Sequence, residues 1–191
     1  MVDLELSGLD PNHDEIISFG AVPIDMGRVV AGESVYGICR PTRALPEASI
    51  LVHGIRTVDL ADAPPLDEAI QPLIVAMTGR VMIAHVAWVE RAFLTKALRR
   101  QGVRPRGPIL DTFELGRVLS HQRDEGHSSR TLDELAEYLH LPVYRRHHAL
   151  GDALTTAQVF IALATHLDDE FAPESIHSLA LAKDRARLLS S

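Results

Sequence analysis

The sequence predicts an α/β fold, a β-sheet of mixed strand direction flanked by helices. Three observations predict it: a strand-like opening over residues 16–39, a switch to helical spacing of apolar residues over 66–77, and short apolar runs alternating with helical stripes thereafter. A chain of 191 residues, 46% of them hydrophobic, holds one well-packed domain and is too short for two of ordinary size. The expected division is a domain over residues 1–168 and a C-terminal tail over 169–191.

Residues 16–24 are mostly apolar and residues 34–39 partly alternate, with Asp25, Met26 and Gly27 between them, which predicts strand, turn and strand. Leu66, Ile70, Leu73, Ile74 and Met77 share one face of a helix over 66–77. Residues 81–84 suit a buried strand and feed a helix over 88–100, whose Val89, Phe93, Ala97 and Leu98 form a stripe ending near Gly102. Ile109 and Leu110 make a short strand that leads into Asp111 and Thr112, either of which can cap a helix over 113–119. Residues 120–130 are polar and predict a loop. Thr131 and Glu134 form a capping-box pattern for a helix reaching Leu139, and residues 150–167 form the last long helix. The tail is a docked helix or a frayed end.

Composition narrows the function. No apolar run reaches the roughly 18 to 20 residues of a membrane span, and the first residues lack the layout of a secretory signal, so a cytoplasmic protein with no membrane partner is expected. The single cysteine, Cys39, excludes an internal disulfide and a multi-cysteine zinc site, and reads as a small buried residue of a strand. A net charge of −7 argues against coating nucleic acid by bulk electrostatics, so any such contact is local. Arg99, Arg100, Arg104 and Arg106 read as a solvated basic face, and Arg145 and Arg146 lie beside a histidine pair. No phosphate-binding G-x-x-x-x-G-K loop, G-x-S-x-G elbow or dinucleotide fingerprint occurs.

The chemistry-bearing candidates are acids. Asp3 and Glu5 stand one residue apart in a strand, so both carboxylates share a face, where their repulsion calls for a counter-charge such as a divalent metal. Asp152 opens the last helix behind His147 and His148. Spacing alone favours His148, four residues before Asp152, as the histidine sharing its face; a pair of surface histidines is the plainer reading. Glu90 lies in the first turn of its helix, where the macrodipole alone would favour an acid.

Taken in order, these segments resemble the DEDDh exonucleases, the DnaQ-like group that includes the proofreading subunit of bacterial replicative DNA polymerase. D-L-E-L-S-G-L-D-P at 3–11 with D-E-I-I-S-F-G-A-V at 14–22 resembles the first motif and the strand after it. V-H-G-I at 52–55, with Ala63 and Pro64, resembles the linker before the second motif; A-H-V-A-W-V-E at 84–90 occupies that motif, and H-H-A-L-G-D-A at 147–153 resembles the third. The resemblance implies an RNase H-like fold and a 3′-to-5′ exonuclease releasing nucleoside 5′-monophosphates. It implies two Mg²⁺ or Mn²⁺ ions held by Asp3, Glu5, Glu90 and Asp152, with His147, not His148, as general base. Leu6, Ser7, Gly8, His53 and His85 fall where the family borders the terminal nucleotide. Trp88 offers a stacking face for a base, a buried helix-start aromatic being the alternative. The implied partner is a single-stranded 3′ end, DNA ahead of RNA, with a polymerase or repair complex as further company.

Three departures from the family pattern stand out. Glu90 replaces an aspartate, Val86 replaces the usual asparagine after the motif's histidine, and only Met1 and Val2 precede Asp3, so a short first strand with less firmly held acids is expected. Glu90 and Val86 define the alternative: a degenerate, non-catalytic relative that binds nucleic-acid ends or a protein partner.

Overall fold

The computed structural model describes residues 1–104, 107–123 and 130–171. Val2–Leu6 forms β1 and Ile16–Ala21 forms β2, antiparallel to it, with Asp3 opposite Gly20 and Glu5 opposite Ser18. The expected strand over 16–24 is interrupted. Pro23 has no amide hydrogen to give to a ladder, and the chain resumes as β3, Ile24–Asp25, paired with β4, Arg28–Val29. Between them Met26 and Gly27 both have positive φ, 47° and 73°, the geometry of a tight two-residue hairpin turn. β5, Val35–Ile38, then pairs antiparallel with β2, and Cys39 just beyond it is fully buried.

α1, Glu47–His53, ends on Gly54 in the left-handed conformation. The helix expected over 66–77 is two pieces, α2, Leu66–Ala69, and α3, Gln71–Met77. Pro72 explains the break: in the first turn of α3 its missing N–H costs nothing, but it cannot continue a ladder begun in α2. β6, Met82–Ala84, leads to α4, Trp88–Arg100, and on to β7, Ile109–Asp111, which lies parallel to β6. β6 lies beside β1, which lines the strands up as β5-β2-β1-β6-β7, antiparallel at one end and parallel at the other.

Asp111 is the N-cap of α5, Thr112–Gln122, its side chain accepting from the Phe113 amide; the helix runs three residues into the stretch expected as loop. Residues 124–129 of that stretch, and Arg106 of the first basic group, lie outside the described residues; Arg99, Arg100 and Arg104 are exposed, as a solvated face requires. α6, Leu132–Tyr138, carries the expected Thr131–Glu134 capping box. α7, Ala149–Phe171, continues past the expected end of the domain, and residues 172–191 of the tail lie outside the described residues.

Two apolar cores sandwich the sheet. Val2, Leu4 and Phe19 meet Leu73, Phe93 and Leu94 of α3 and α4 on one side; Ile83 and Leu110 meet Leu115, Leu135, Leu163 and their neighbours on α5, α6 and α7 on the other. Successive β1 side chains point to opposite faces. With Val2 and Leu4 committed to the first core, Asp3 and Glu5 face α7. Among the described residues no helix is long and apolar enough to cross a membrane.

Candidate active site

α7 reaches β1 because of Gly20. A Cβ there would come within 2.4 Å of the Ala149 carbonyl and the Leu150 amide nitrogen, so only glycine lets the start of α7 settle directly on β2, one strand from Asp3. Asp152, in the first turn of α7, is thereby brought to Asp3 and Glu5, and carboxylate oxygens of the three lie within 4.8 Å of one another. Asp152 is held on both oxygens: Oδ1 accepts from Nη1 of Arg146 at 2.9 Å and Oδ2 from the His147 amide at 2.9 Å.

Glu90 approaches from α4. Its helix face carries Phe93, Leu94 and Ala97, so the acid occupies a core position of the buried stripe, whereas Val89, assigned to that stripe from the sequence, is only half-buried. Glu90 is 5% exposed, its Oε2 has no hydrogen-bond partner, and its charge is felt at Asp3, although it stands outside the 4.8 Å group. Burial, then Asp111, pushes Glu90 up to about 8. Burial, then Asp152, pushes Glu5 up to about 7. Asp3 is raised well above the carboxylate range by burial and next by Glu90, Asp152 and Glu5, with Arg146 opposing. Asp152 is raised by burial against the pull of Arg146 and the His147 amide.

The turn between β6 and α4 is organised by Asp111. Its buried carboxylate accepts the amides of Val86 at 3.1 Å, Ala87 at 3.0 Å and Phe113 at 3.0 Å, tying the start of α4 to the start of α5. Val86 sits at φ 61°, a left-handed conformation that a β-branched residue adopts only under constraint; the asparagine that the family resemblance places here tolerates it.

The two histidines part company. His148 stacks on Tyr36 with ring centroids 4.6 Å apart, is half-buried, and is lowered by burial and by Arg145. It stands just before α7, its carbonyl accepting the Asp152 amide at 2.9 Å. His147 is exposed at φ 54°. His53, at the end of α1, accepts the Ile55 amide on Nδ1 at 3.0 Å, leaves a buried Nε2 without a partner, and is lowered by burial and by His147. His85 is lowered to about 4 by burial and then Arg146, and its Nδ1 lies 3.0 Å from the Thr112 hydroxyl.

The Ser7 hydroxyl is engaged within its own loop, donating to Asp14 at 3.1 Å and accepting the Glu15 amide at 3.0 Å. A Cβ on Gly8 would meet the Asp14 carboxylate at 2.4 Å, so this glycine admits the brace. Leu6 ends β1, half-buried, and Trp88 is 60% exposed at the start of α4, not a buried helix-start aromatic.

Two residues of this site have no role in the sequence reading. Arg146 was legible only as a basic residue beside the histidines, and Asp111 only as a candidate cap. An acid at Glu90 in register with Phe93, Leu94 and Ala97 is the signal that could have marked its burial.

The donor set fits a hard divalent cation. Three carboxylates converge, burial disfavours their charges, and a fourth acid nearby has an unpartnered buried oxygen; oxygen ligands of this kind suit Mg²⁺ and Mn²⁺.

A family model described as Exonuclease matches residues 1–160, and the chain belongs to that exonuclease family. It is 38% identical over 164 residues to the DNA polymerase III subunit epsilon-like protein of Rhodobacter capsulatus, covering 84% of this chain and 23% of that protein. It is 32% identical over 162 residues to the PolC-type DNA polymerase III of Thermotoga petrophila, covering 84% of this chain and 11% of that one. The chain thus spans less than a quarter of the length of these relatives. Exonuclease X in complex with 5′ overhanging duplex DNA shares its fold at a TM-score of 0.72 and 20% identity, covering 95% of this chain and 97% of that one. The fold is the RNase H-like one that the motifs implied.

Proposed function

We propose that this chain is a metal-dependent 3′-to-5′ exonuclease that removes nucleoside 5′-monophosphates one at a time from a nucleic-acid 3′ end. The observation that carries the reading is the convergence of Asp3, Glu5 and Asp152 within 4.8 Å, on the face of β1 turned towards α7. Asp3, Glu5 and Asp152 hold the divalent ions, Mg²⁺ or Mn²⁺, with Glu90 completing the set from α4. Bound there, a pair of such ions supplies stabilisation of the attacking and leaving oxygens of the phosphate.

The chain's own residues do the rest. His147, exposed at the rim beside Asp152, takes the proton of the attacking water on an imidazole nitrogen, and the Asp152 bond to its amide fixes the backbone it hangs from. His53 offers its unpartnered Nε2 to the terminal nucleotide, and Trp88 offers an exposed ring to a base. Leu6, at the end of β1, gives an apolar edge. Ser7, Gly8 and His85 act by shaping the walls, since the Ser7 hydroxyl and His85 already have partners. Single-stranded DNA is the favoured substrate, ahead of RNA, and a polymerase or repair complex the favoured partner; the naming of relatives as DNA polymerase III proteins supports both.

A second reading, a non-cutting relative that binds ends or a partner, is favoured by Glu90 standing outside the 4.8 Å group. Release of mononucleotides from a labelled single-stranded DNA oligonucleotide, and from a matched RNA, with Mn²⁺, with Mg²⁺ and with chelator, separates the two. Stepwise shortening from the 3′ end that needs metal and is lost in Asp152→Ala is expected. Metal binding without shortening of either strand would move the assignment to the non-cutting relative.

A further inference from the structure

The charge on the cluster is already partly answered from within the chain. Nη1 of Arg146 donates to Asp152 at 2.9 Å, while the same guanidinium forms an ion pair through Nε with Asp133. Asp133 stands in the first turn of α6, a helix whose start is fixed by the Thr131–Glu134 capping box. Arg146 is therefore held from behind, at 30% side-chain exposure, and leans on an acid that the site needs for its ions. Its charge also reaches Asp3 and Glu5.

We propose that Arg146 is a tethered counter-cation that competes with the divalent ions for Asp152. It keeps the acidic cluster folded and close when no ion is bound, and it sets a threshold ion concentration below which the site stays closed to metal. The proposal rests on the reading of this cluster as a metal site. Two physical points decide its sign. A guanidinium is always charged, so it repels an incoming cation at every working pH. And a residue that merely positioned Asp152 would, when removed, weaken ion binding; a competitor, when removed, strengthens it.

The test is titration of Mn²⁺ alone into the purified chain by calorimetry, with melting in chelator and in Mn²⁺ alongside. Arg146→Gln is expected to bind Mn²⁺ at least about tenfold more tightly, since removing one unit charge about 4 Å from a divalent ion is worth more than that even at the dielectric of water. It is expected to melt lower than wild type in chelator and to gain more from Mn²⁺. Arg146→Lys keeps a charge but cannot span Asp133 and Asp152 together; it is expected to bind more tightly than wild type by a smaller factor, and it carries the test should the glutamine variant not fold. Unchanged or weaker Mn²⁺ binding in the folded variants overturns the proposal and leaves the metal site standing. No Mn²⁺ binding by wild type or by either variant overturns the metal-site reading, and the proposal with it.

Discussion

Gly20 and Ala149 touch backbone to backbone: the space where a Gly20 side chain would begin is filled, at 2.4 Å, by the Ala149 carbonyl. Because Gly20 is also the ladder partner of Asp3, this contact fixes how far Asp152 stands from the acids of β1. Gly20→Ala is expected to cost about 1 to 3 kcal/mol of stability through overpacking. Pushing α7 outward by an ångström is expected to lower exonuclease activity on the order of a hundredfold. Urea denaturation and the oligonucleotide assay check both, and full activity in a folded Gly20→Ala would show that another contact sets the position of Asp152.

Asp3→Asn and Asp152→Asn are each expected to lower exonuclease activity by more than about a hundredfold, since even partners of metal ligands contribute 10- to 100-fold. Asp3→Asn is expected to melt no lower than wild type in chelator, because the neutral amide replaces an acid whose charged form its surroundings and three other acids disfavour. Retained turnover in either variant would sink the metal-site reading.

Glu5 and Glu90 pull the stability of the metal-free chain down as pH rises, against His85 and the Met1 amino group, whose values burial lowers to about 4 and about 6. Both acids ionise near 4.5 when exposed, but only at about 7 and about 8 in the folded chain. From pH 4.5 to about 8 the folded chain therefore keeps protons that the unfolded chain has released, so stability falls as pH rises. Below that interval the cost is absent; above it the cost is complete. Melting in chelator is expected to drop from pH 5 to pH 8, with a smaller drop in Glu90→Gln. An equal drop in wild type and Glu90→Gln would contradict the burial of this charge, because His85 and the Met1 amino group oppose the fall equally in both.

Val86→Asn is expected to stabilise the fold by about 1 kcal/mol, since asparagine tolerates the positive φ that a β-branched side chain resists. Chemical denaturation measures it directly. A destabilised variant would mean that Val86 packing outweighs its backbone strain.

How much was legible follows from where the determinants lie. The D-x-E pair announced its shared face because strand geometry is local, and the Thr131–Glu134 capping box did so for the same reason. The strand over 16–24 and the helix over 66–77 were each read as one element because apolar periodicity runs through Pro23 and Pro72, whereas the missing amides break the hydrogen-bond ladders. α1 stayed hidden: it is seven residues long and leaves Leu51 and Val52 exposed, so it shows no stripe. β1 pairs with β2 along its length and lies beside β6, neighbours that no local pattern in so short a segment reveals. His147 was preferred through family resemblance and not through spacing, because spacing speaks only for a residue at the helix start, and His147 lies in the turn before it. The partners of Arg146 and Asp111 are tertiary facts, and no local pattern encodes them.

The acids of the site are spread along the order of synthesis. A ribosome that has made residues 1–140 has made Asp3, Glu5 and Glu90 but not Asp152, and the helix that seats on Gly20 does not yet exist. Domains fold as units once their elements are present, so the acid centre forms only after the start of α7 has been made. Until then Asp3 and Glu5 stand on the nascent chain without their third carboxylate.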